Sequence, residues 1–280
     1  MRATFGARLR LAMAAHGPLC VGIDPHRSLL DAWGLPQDTT GLERFAMTCV
    51  EAFAGQVAAV KPQSAFFEVF GSAGVAVLER VLRELAAAGT LSILDVKRGD
   101  IGTTMAAYAE AFLGPDAPAA ADAITLSPFL GYESLRPALD LAQEAGRGVF
   151  VLTLTSNPEG AQVQHALRDG RAVAGTVVDG ATVDNAPARE EGELGSVGLV
   201  IGATVGTAVT DLGLDLVTAN APILAPGVGA QGGSAANLDE VFGAARGQVL
   251  ASSSREVLAA GPSVRALTDH ARRLADSLRA

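Results

Sequence analysis

The chain has 280 residues, of which 49% are apolar and 18% are charged, and its formal net charge is −9. This length and apolar content suit a single large α/β domain over residues 1–280. The acidic balance argues against a nucleic-acid-binding protein, because such proteins normally present a basic face.

Short apolar segments alternate with amphipathic segments along nearly the whole chain. The apolar segments predict eight strands, at 19–24, 57–61, 92–96, 123–126, 149–154, 199–201, 222–225 and 249–252. The intervening segments predict helices at 41–54, 72–88, 103–113, 133–145, 204–212, from about 237 onward, and 264–278. Between the fifth and sixth strands, residues 171–184 suit a helix and 189–193 a solvated turn.

Eight strand–helix units in this length predict a (β/α)8 TIM barrel, with an open doubly wound sheet as the competing architecture. Strand count alone does not separate the two. The position of the polar residues favours the barrel, because they follow the carboxyl ends of strands all around the sheet, where barrels carry their sites. These residues are Asp24, Lys61, Asp95, Lys97, Ser127, Ser156, Ser254 and Arg255.

Candidate functional side chains are most concentrated in residues 91–104, LSILDVKRGDIGTT. Asp95 and Lys97 are two residues apart at the end of an apolar strand, so their side chains point to the same face. Asp100 follows where the chain must turn. Unpaired buried charge is heavily penalised, so this run predicts either a surface ion pair or a functional charge network.

Two further charges belong to the same predicted mouth of the barrel. Lys61 ends the second strand and needs a carboxylate partner, for which Asp24 and Asp95 are the nearest candidates on adjacent strands. Asp24 itself suits two roles, a hydrogen bond to ligand hydroxyls or a turn cap. The alternation of these charges favours a functional network.

A phosphate site is predicted after the seventh and eighth strands, which is its usual place in barrels. Residues 225–233 read APGVGAQGG and bring Pro226, Gly229 and Gln231 toward a ligand, since glycines allow backbone N–H groups to turn inward. Ser254 and Arg255 follow the eighth strand, and an arginine offers a bidentate donor fork to phosphate.

The fifth strand ends in TSNP, where Ser156 suits either a hydrogen bond to an amide-like ring or a helix N-cap. The four histidines show no metal spacing, and no HExxH, Walker or zinc-finger motif is present. Lys97 is therefore a better candidate for proton donor than any histidine.

The compartment is predicted from what the sequence lacks. The two cysteines have no metal or disulfide spacing, no run of about 18 apolar residues could span a bilayer, and arginines interrupt the N-terminal segment. We expect a cytoplasmic protein without a signal peptide or membrane contact.

With D-x-K-x-x-D at Asp95, Lys97 and Asp100, and with PGVGAQGG after the seventh strand, the sequence resembles the orotidine 5′-phosphate decarboxylase family. The motifs GID, VKP, SNP and SR at the first, second, fifth and eighth strands extend the resemblance over nearly the whole chain, and the long segment after Ser156 resembles the longer-chain bacterial members.

The resemblance implies loss of CO2 from orotidine monophosphate to give UMP, in pyrimidine biosynthesis, without metal or organic cofactor. It implies that Asp95 faces the departing carboxylate, that Lys97 stabilises and protonates C6, and that Lys61 and Asp24 hold the network and the ribose hydroxyls. It also implies a homodimer with shared sites. The remaining implied contacts are Asp100, Ile101 and Thr104 across the dimer interface, Ser156 at the pyrimidine, and Gln231 and Arg255, with backbone near Pro226, Gly229 and Ser254, at the phosphate.

Two other functions stay open at this point. One is a Mg2+-dependent sugar-phosphate decarboxylase or aldolase of the same barrel superfamily, which loss of activity in EDTA would reveal. The other is a catalytically silent phosphate-binding barrel, against which the set of five mutually placed charges argues.

Overall fold

Eight parallel strands close into a barrel in the computed structural model, which describes residues 3–229 and 232–279. The strands follow one another around the barrel in the order β1-β10-β9-β8-β5-β4-β3-β2, and β6 and β7 form a separate antiparallel hairpin. Their bounds are β1 Leu19–Ile23, β2 Ala59–Pro62, β3 Leu91–Arg98, β4 Ala123–Leu126, β5 Gly148–Leu154, β6 Leu167–Arg168, β7 Arg171–Ala172, β8 Val197–Ile201, β9 Ile223–Pro226 and β10 Val249–Ser253.

Helices connect the strands on the outside of the barrel. They are α1 Phe5–His16, α2 Arg27–Ala32, α3 Thr39–Phe53, α4 Ala65–Glu68, α5 Gly71–Ala87, α6 Gly102–Leu113, α7 Arg136–Glu144, α8 Ala161–Gln164, α9 Val173–Asp184, α10 Ala186–Glu190, α11 Ala208–Asp211, α12 Leu216–Ala219, α13 Ala235–Phe242, α14 Arg255–Leu258 and α15 Val264–Ser277. Three 3-10 segments occur at Tyr132–Leu135, Pro158–Gly160 and Gly243–Gln248.

The closed parallel sheet confirms the predicted (β/α)8 barrel and rules out the open doubly wound sheet. All eight predicted strands are barrel strands, with β3 longer than predicted because it continues through the charged residues to Arg98. Burial of both strand faces explains this success, since each strand then reads as a short apolar run in the sequence.

Between β5 and β9 the predictions were only partly right. The helix predicted from residue 171 begins at Val173, because Asp169 and Gly170 have positive φ and turn the chain into the β6–β7 hairpin. The predicted turn at 189–193 begins with the last residues of α10. The helix predicted at 204–212 is reduced to α11, since Gly206 has a φ of 61°, which a right-handed helix does not allow.

Helix α1 closes the amino-terminal end of the barrel and was not predicted. Phe5 and Leu9 are fully buried in the barrel interior, and the Phe5 ring meets Phe150 edge-on, with centroids 5.8 Å apart. Its sequence lacks a strong amphipathic pattern because it buries one end rather than one long face. This apolar plug leaves the carboxyl end of the barrel as the open end.

Candidate active site

The inward-facing positions of the barrel change from apolar to polar toward the carboxyl ends of the strands. Apolar side chains form the lower interior, at Cys20, Ala59, Leu91, Ile93, Ala123, Phe150, Val200, Leu224 and Leu250. Two or four residues later the same face of β1, β2, β3, β4 and β10 continues into the polar lining of a cavity of about 340 Å3, at Asp24, Lys61, Gln63, Asp95, Lys97, Thr125, Ser252 and Ser254. The alternation that builds the core therefore also positions the candidate site.

Asp95 lies at the centre of a charge network in this cavity. Its Oδ2 is 3.0 Å from the Lys61 Nζ, and its Oδ1 is 2.6 Å from the Lys97 Nζ. Lys61 and Asp95 are both buried, whereas 44% of the Lys97 side chain is exposed to the cavity mouth. Of the two partners predicted for Lys61, the structure selects Asp95 for direct contact.

The network holds Asp95 and Lys61 charged. Burial by itself would raise the pKa of Asp95, but the ammonium groups of Lys61 and Lys97 lower it to about 2. Burial by itself would lower the pKa of Lys61, but the carboxylates of Asp24 and Asp95 raise it above its usual value. A negative charge between two positive charges is thus fixed in place before any ligand arrives.

Lys97 has an unusual backbone conformation, with a φ of 45°. A non-glycine residue in this region costs about 1–3 kcal/mol and persists only where its surroundings hold it. The Thr125 hydroxyl provides that support, because it accepts a hydrogen bond from the Lys97 N–H (3.0 Å) and donates one to the Asp95 Oδ1 (2.8 Å). One buried hydroxyl therefore orients both members of the Asp95–Lys97 pair.

Sequence reasoning missed Thr125 and Gln63. With its amide nitrogen facing Asp95, Gln63 donates to the Asp95 carbonyl oxygen at 2.7 Å and to the Oδ2 at 3.0 Å. Gln63 lies two residues beyond Lys61, and Thr125 two residues before Ser127, so the period of two along each strand was the signal that could have found them. Ser127 itself bonds to the β3 backbone, through its N–H to the Arg98 oxygen at 2.8 Å.

Asp24 lines the cavity and has an unused acceptor. Its buried Oδ1 has no hydrogen-bond partner among the described residues. Buried polar atoms in native proteins are nearly always paired, so this acceptor on the cavity wall is available to a donor group of a ligand.

The loops after β9 and β10, where the phosphate site is predicted, line part of the cavity. Pro226, Ser254 and Arg255 line it, the Ser254 Oγ is buried without a partner in the described part of the chain, and Arg255 forms no ion pair with any described residue. Gly229 follows with a φ of 80°, and a Cβ there would lie 1.4 Å from the Glu256 Oε2, so only glycine fits. Gln231 lies outside the described residues.

Asp100, Ile101 and Thr104 lie outside this cavity, at the beginning of α6. Asp100 accepts a hydrogen bond from the Ile101 N–H at 2.8 Å, and Ile101 is 62% exposed. The adjacent loop after β4 exposes Phe129 and Leu130 as well. The structure therefore does not bring Asp100, Ile101 and Thr104 together with their own chain's Asp95 and Lys97.

At the end of β5, Thr155 lines the cavity, whereas its neighbour Ser156 is exposed. A larger cavity of about 530 Å3 opens at the opposite end of the barrel, between α1 and the residues that precede the strands. The arginines on its wall, Arg10, Arg246 and Arg279, already donate to carbonyl or carboxylate oxygens of the chain. The charge network thus identifies the smaller cavity as the candidate active site.

Within residues 3–229 and 232–279, no group of three or more His, Cys, Asp or Glu side chains is arranged to hold a metal ion. No helix in the same ranges has the length and apolar character needed to cross a membrane. Cys20 and Cys49 are buried free thiols.

Known proteins resemble this chain in both sequence and structure. The family model for "Orotidine 5'-phosphate decarboxylase / HUMPS family" matches residues 17–269. Orotidine 5′-phosphate decarboxylase of Salinispora arenicola is 59% identical, with 99% of this chain and 98% of the relative covered, and that of Streptomyces coelicolor is 58% identical, with 98% and 97% covered. A Streptomyces avermitilis crystal structure, provisionally assigned to the same activity, is 57% identical with a TM-score of 0.94, covering 99% of this chain and 95% of that one.

Proposed function

The chain belongs to the orotidine 5′-phosphate decarboxylase family, and on that premise we propose how the residues of its barrel mouth divide the reaction between them. The protein catalyses the decarboxylation of orotidine 5′-monophosphate to UMP, a step of pyrimidine biosynthesis. The Lys61–Asp95–Lys97 array at the open end of the barrel carries the proposal, because it offers a fixed cation beside a fixed anion.

Asp95 and Lys97 have the central roles. Asp95 is charged at neutral pH and faces the substrate carboxylate, so that departure of CO2 relieves a like-charge contact. The C6–carboxylate bond breaks and its electron pair stays on C6. The Lys97 ammonium stabilises that localised charge and transfers its proton to C6, which gives UMP, and the resulting amine takes a proton from water.

The other contacts bind and orient the substrate. The orphan acceptor of Asp24 receives a ribose hydroxyl, and Lys61 fixes Asp95 from the far side. Ser156 contacts the pyrimidine. Arg255 binds the phosphate, together with Gln231 and with the backbone around Pro226, Gly229 and Ser254; binding energy from this remote group helps to order the site. No metal or organic cofactor takes part in these roles.

A direct test is the change in ultraviolet absorbance as orotidine monophosphate is consumed, measured with purified protein in EDTA. We expect turnover in wild type at an unchanged rate and its loss in Lys97→Ala. Activity that EDTA abolishes would favour a Mg2+-dependent sugar-phosphate enzyme, an alternative that the high identity to named decarboxylases does not favour.

We also propose a homodimer in which each chain completes its partner's site. Asp100, Ile101 and Thr104 do not line their own cavity, and Ile101, Phe129 and Leu130 are exposed apolar residues that follow the paired ends of β3 and β4. Exposed apolar patches of this kind typically mark interfaces. A symmetric pair would place the same three residues at both cavities.

Mixing inactive chains tests this arrangement. In a heterodimer of Asp95→Asn and Asp100→Asn chains, one of the two sites has both native carboxylates, so random pairing should restore about one quarter of wild-type activity. A mixture of Asp95→Asn and Lys97→Ala chains is the control, since both residues belong to the same chain's site and no native site forms. Equal activity in the two mixtures would contradict the shared site.

For the compartment we propose the cytoplasm. Support comes from the two buried free thiols, because a reducing compartment preserves such thiols.

A further inference from the structure

The long segment between β5 and β8 touches the active-site cavity only through its first residues. The ladder of β5 ends with the Leu154 carbonyl, which accepts from the Gly202 N–H at 2.9 Å, after a shift in register between Leu152 and Leu154. Thr155, which lines the cavity, therefore begins beyond the support of the sheet. Its conformation has to be set by something else.

Gln164, the last residue of α8, supplies that support with both ends of its amide. Its Oε1 accepts the Thr155 backbone N–H at 2.8 Å, and its Nε2 donates to the Thr155 hydroxyl at 2.7 Å. The Thr155 hydroxyl in turn donates to the Asn157 Oδ1 at 2.7 Å. The Gln164 side chain thus replaces the missing strand neighbour of Thr155, and the Thr155 hydroxyl extends the hydrogen-bonded chain to Asn157.

The chain makes room for this contact. A Cβ on Gly160 would lie 2.7 Å from the Thr155 Oγ1 and 3.1 Å from the Gln164 Oε1, closer than real Cβ atoms allow without displacement. The close approach of the 3-10 segment Pro158–Gly160 is therefore tied to the Thr155–Gln164 pair. Gln164 is half-buried, whereas Gln162 on the same short helix is exposed and makes no comparable bond.

We infer that Gln164 is a positioning residue for the base-recognition end of the active site. The inference rests on the proposed role of Ser156 at the pyrimidine. Gln164 does not touch the substrate; it fixes the backbone of Thr155 and so sets where Ser156 presents its polar atoms. The long segment between β5 and β8 thereby contributes to recognition of the base, and it does not affect the Asp95–Lys97 chemistry or the phosphate loops on the other side of the cavity.

The test compares ligands with and without a base. Gln164→Met keeps the side-chain length but removes both hydrogen bonds. We expect the KM for orotidine monophosphate and the Kd for UMP to rise about tenfold, the value of one hydrogen bond, while kcat changes less than threefold. The Kd for ribose 5-phosphate, which lacks the base, should change less than twofold. An equal rise in Kd for UMP and for ribose 5-phosphate, or a lower kcat at unchanged KM, would overturn the inference.

Three controls make the result specific. Gln164→Glu keeps the acceptor for the Thr155 N–H but removes the donor to the Thr155 hydroxyl, so it should recover part of the UMP affinity. Gln162→Met should behave as wild type. The double variant Ser156→Ala with Gln164→Met should bind UMP as tightly as Ser156→Ala alone, because both substitutions act on one contact. If the two losses of UMP affinity multiply, Gln164 does not act through Ser156.

Failure of the inference is distinguishable from failure of the proposed function. If wild type does not consume orotidine monophosphate, the function itself is wrong. If wild type is active and Gln164→Met binds UMP as wild type does, only the positioning role is wrong.

Discussion

Replacing the central carboxylate, Asp95→Asn, should cost stability as well as activity. The Lys61 and Asp95 side chains are each 9% exposed and 3.0 Å apart, so the amide would leave a buried ammonium without its closest counter-charge. Removing one partner of a buried pair typically costs about 3–5 kcal/mol. We expect a loss near the lower limit, about 3 kcal/mol at pH 7, because the Thr125 hydroxyl can still donate to the new side-chain oxygen.

The stability difference between wild type and Asp95→Asn should also depend on pH. The pKa of Asp95 falls from 3.8 to about 2 on folding, which corresponds to about 2 kcal/mol of stability. Because the folded pKa is the lower one, this stability is fully present above about pH 5 and is lost as the pH falls through 2. About 1 kcal/mol is lost by pH 3. The stability difference between wild type and Asp95→Asn should therefore narrow by about 1 kcal/mol from pH 7 to pH 3.

Urea denaturation followed by tryptophan fluorescence measures both quantities, since Trp33 is the single tryptophan of the chain and is buried. Asp179→Asn is the matched control, because Asp179 pairs with Arg171 at 2.7 Å but is 58% exposed, and such a pair is worth less than about 1 kcal/mol. An Asp95→Asn protein as stable as wild type, or a difference that does not narrow at low pH, would refute the view that this network stabilises the fold.

Three further substitutions probe single contacts. Thr125→Val should lower kcat at least about tenfold and the free energy of unfolding by about 1–3 kcal/mol, because it leaves the Lys97 N–H unpaired at a strained position. Thr125→Ser keeps the hydroxyl and should restore both values. A valine variant with wild-type kcat would contradict the role of Thr125 in orienting Asp95 and Lys97. Lys97→Ala should reduce kcat by about 10^2–10^4 with an unchanged circular dichroism spectrum, and near-normal turnover would exclude it as the proton donor. Arg255→Ala should raise the KM for orotidine monophosphate about a hundredfold but change the KM for phosphate-free orotidine little. A similar rise in KM for both substrates would refute phosphate binding by Arg255.

The barrel could be predicted from the sequence because the patterns that mark a strand lie within a few consecutive residues. A strand buried on both faces is a short apolar run, and the residue two positions further along shares its direction. The pair Asp95 and Lys97 could therefore be placed on one face without a structure, and their side chains do meet at 2.6 Å. The positions of Lys61, Arg255 and the glycine loop at the carboxyl ends of strands follow from the same reasoning.

Side-chain contacts between neighbouring strands could not be predicted from the sequence of either strand, because the closed barrel as a whole sets the register between strands. Nothing around Thr125 in the sequence indicates that its hydroxyl meets a backbone N–H of β3, and nothing around Lys97 indicates a positive φ. The choice of Asp95 over Asp24 as the direct partner of Lys61 depended on the same register.

The sequence by itself thus determined the fold class and placed Lys61, Asp95 and Lys97 at the carboxyl end of the barrel, where they line one cavity, since each depends on spacing along one strand. Only the tertiary structure decided which charges touch, which hydroxyl orients them, and how Gln164 in a distant-looking segment reaches Thr155. Those contacts join residues whose distance in space is fixed by packing, and packing is a property of all the elements together.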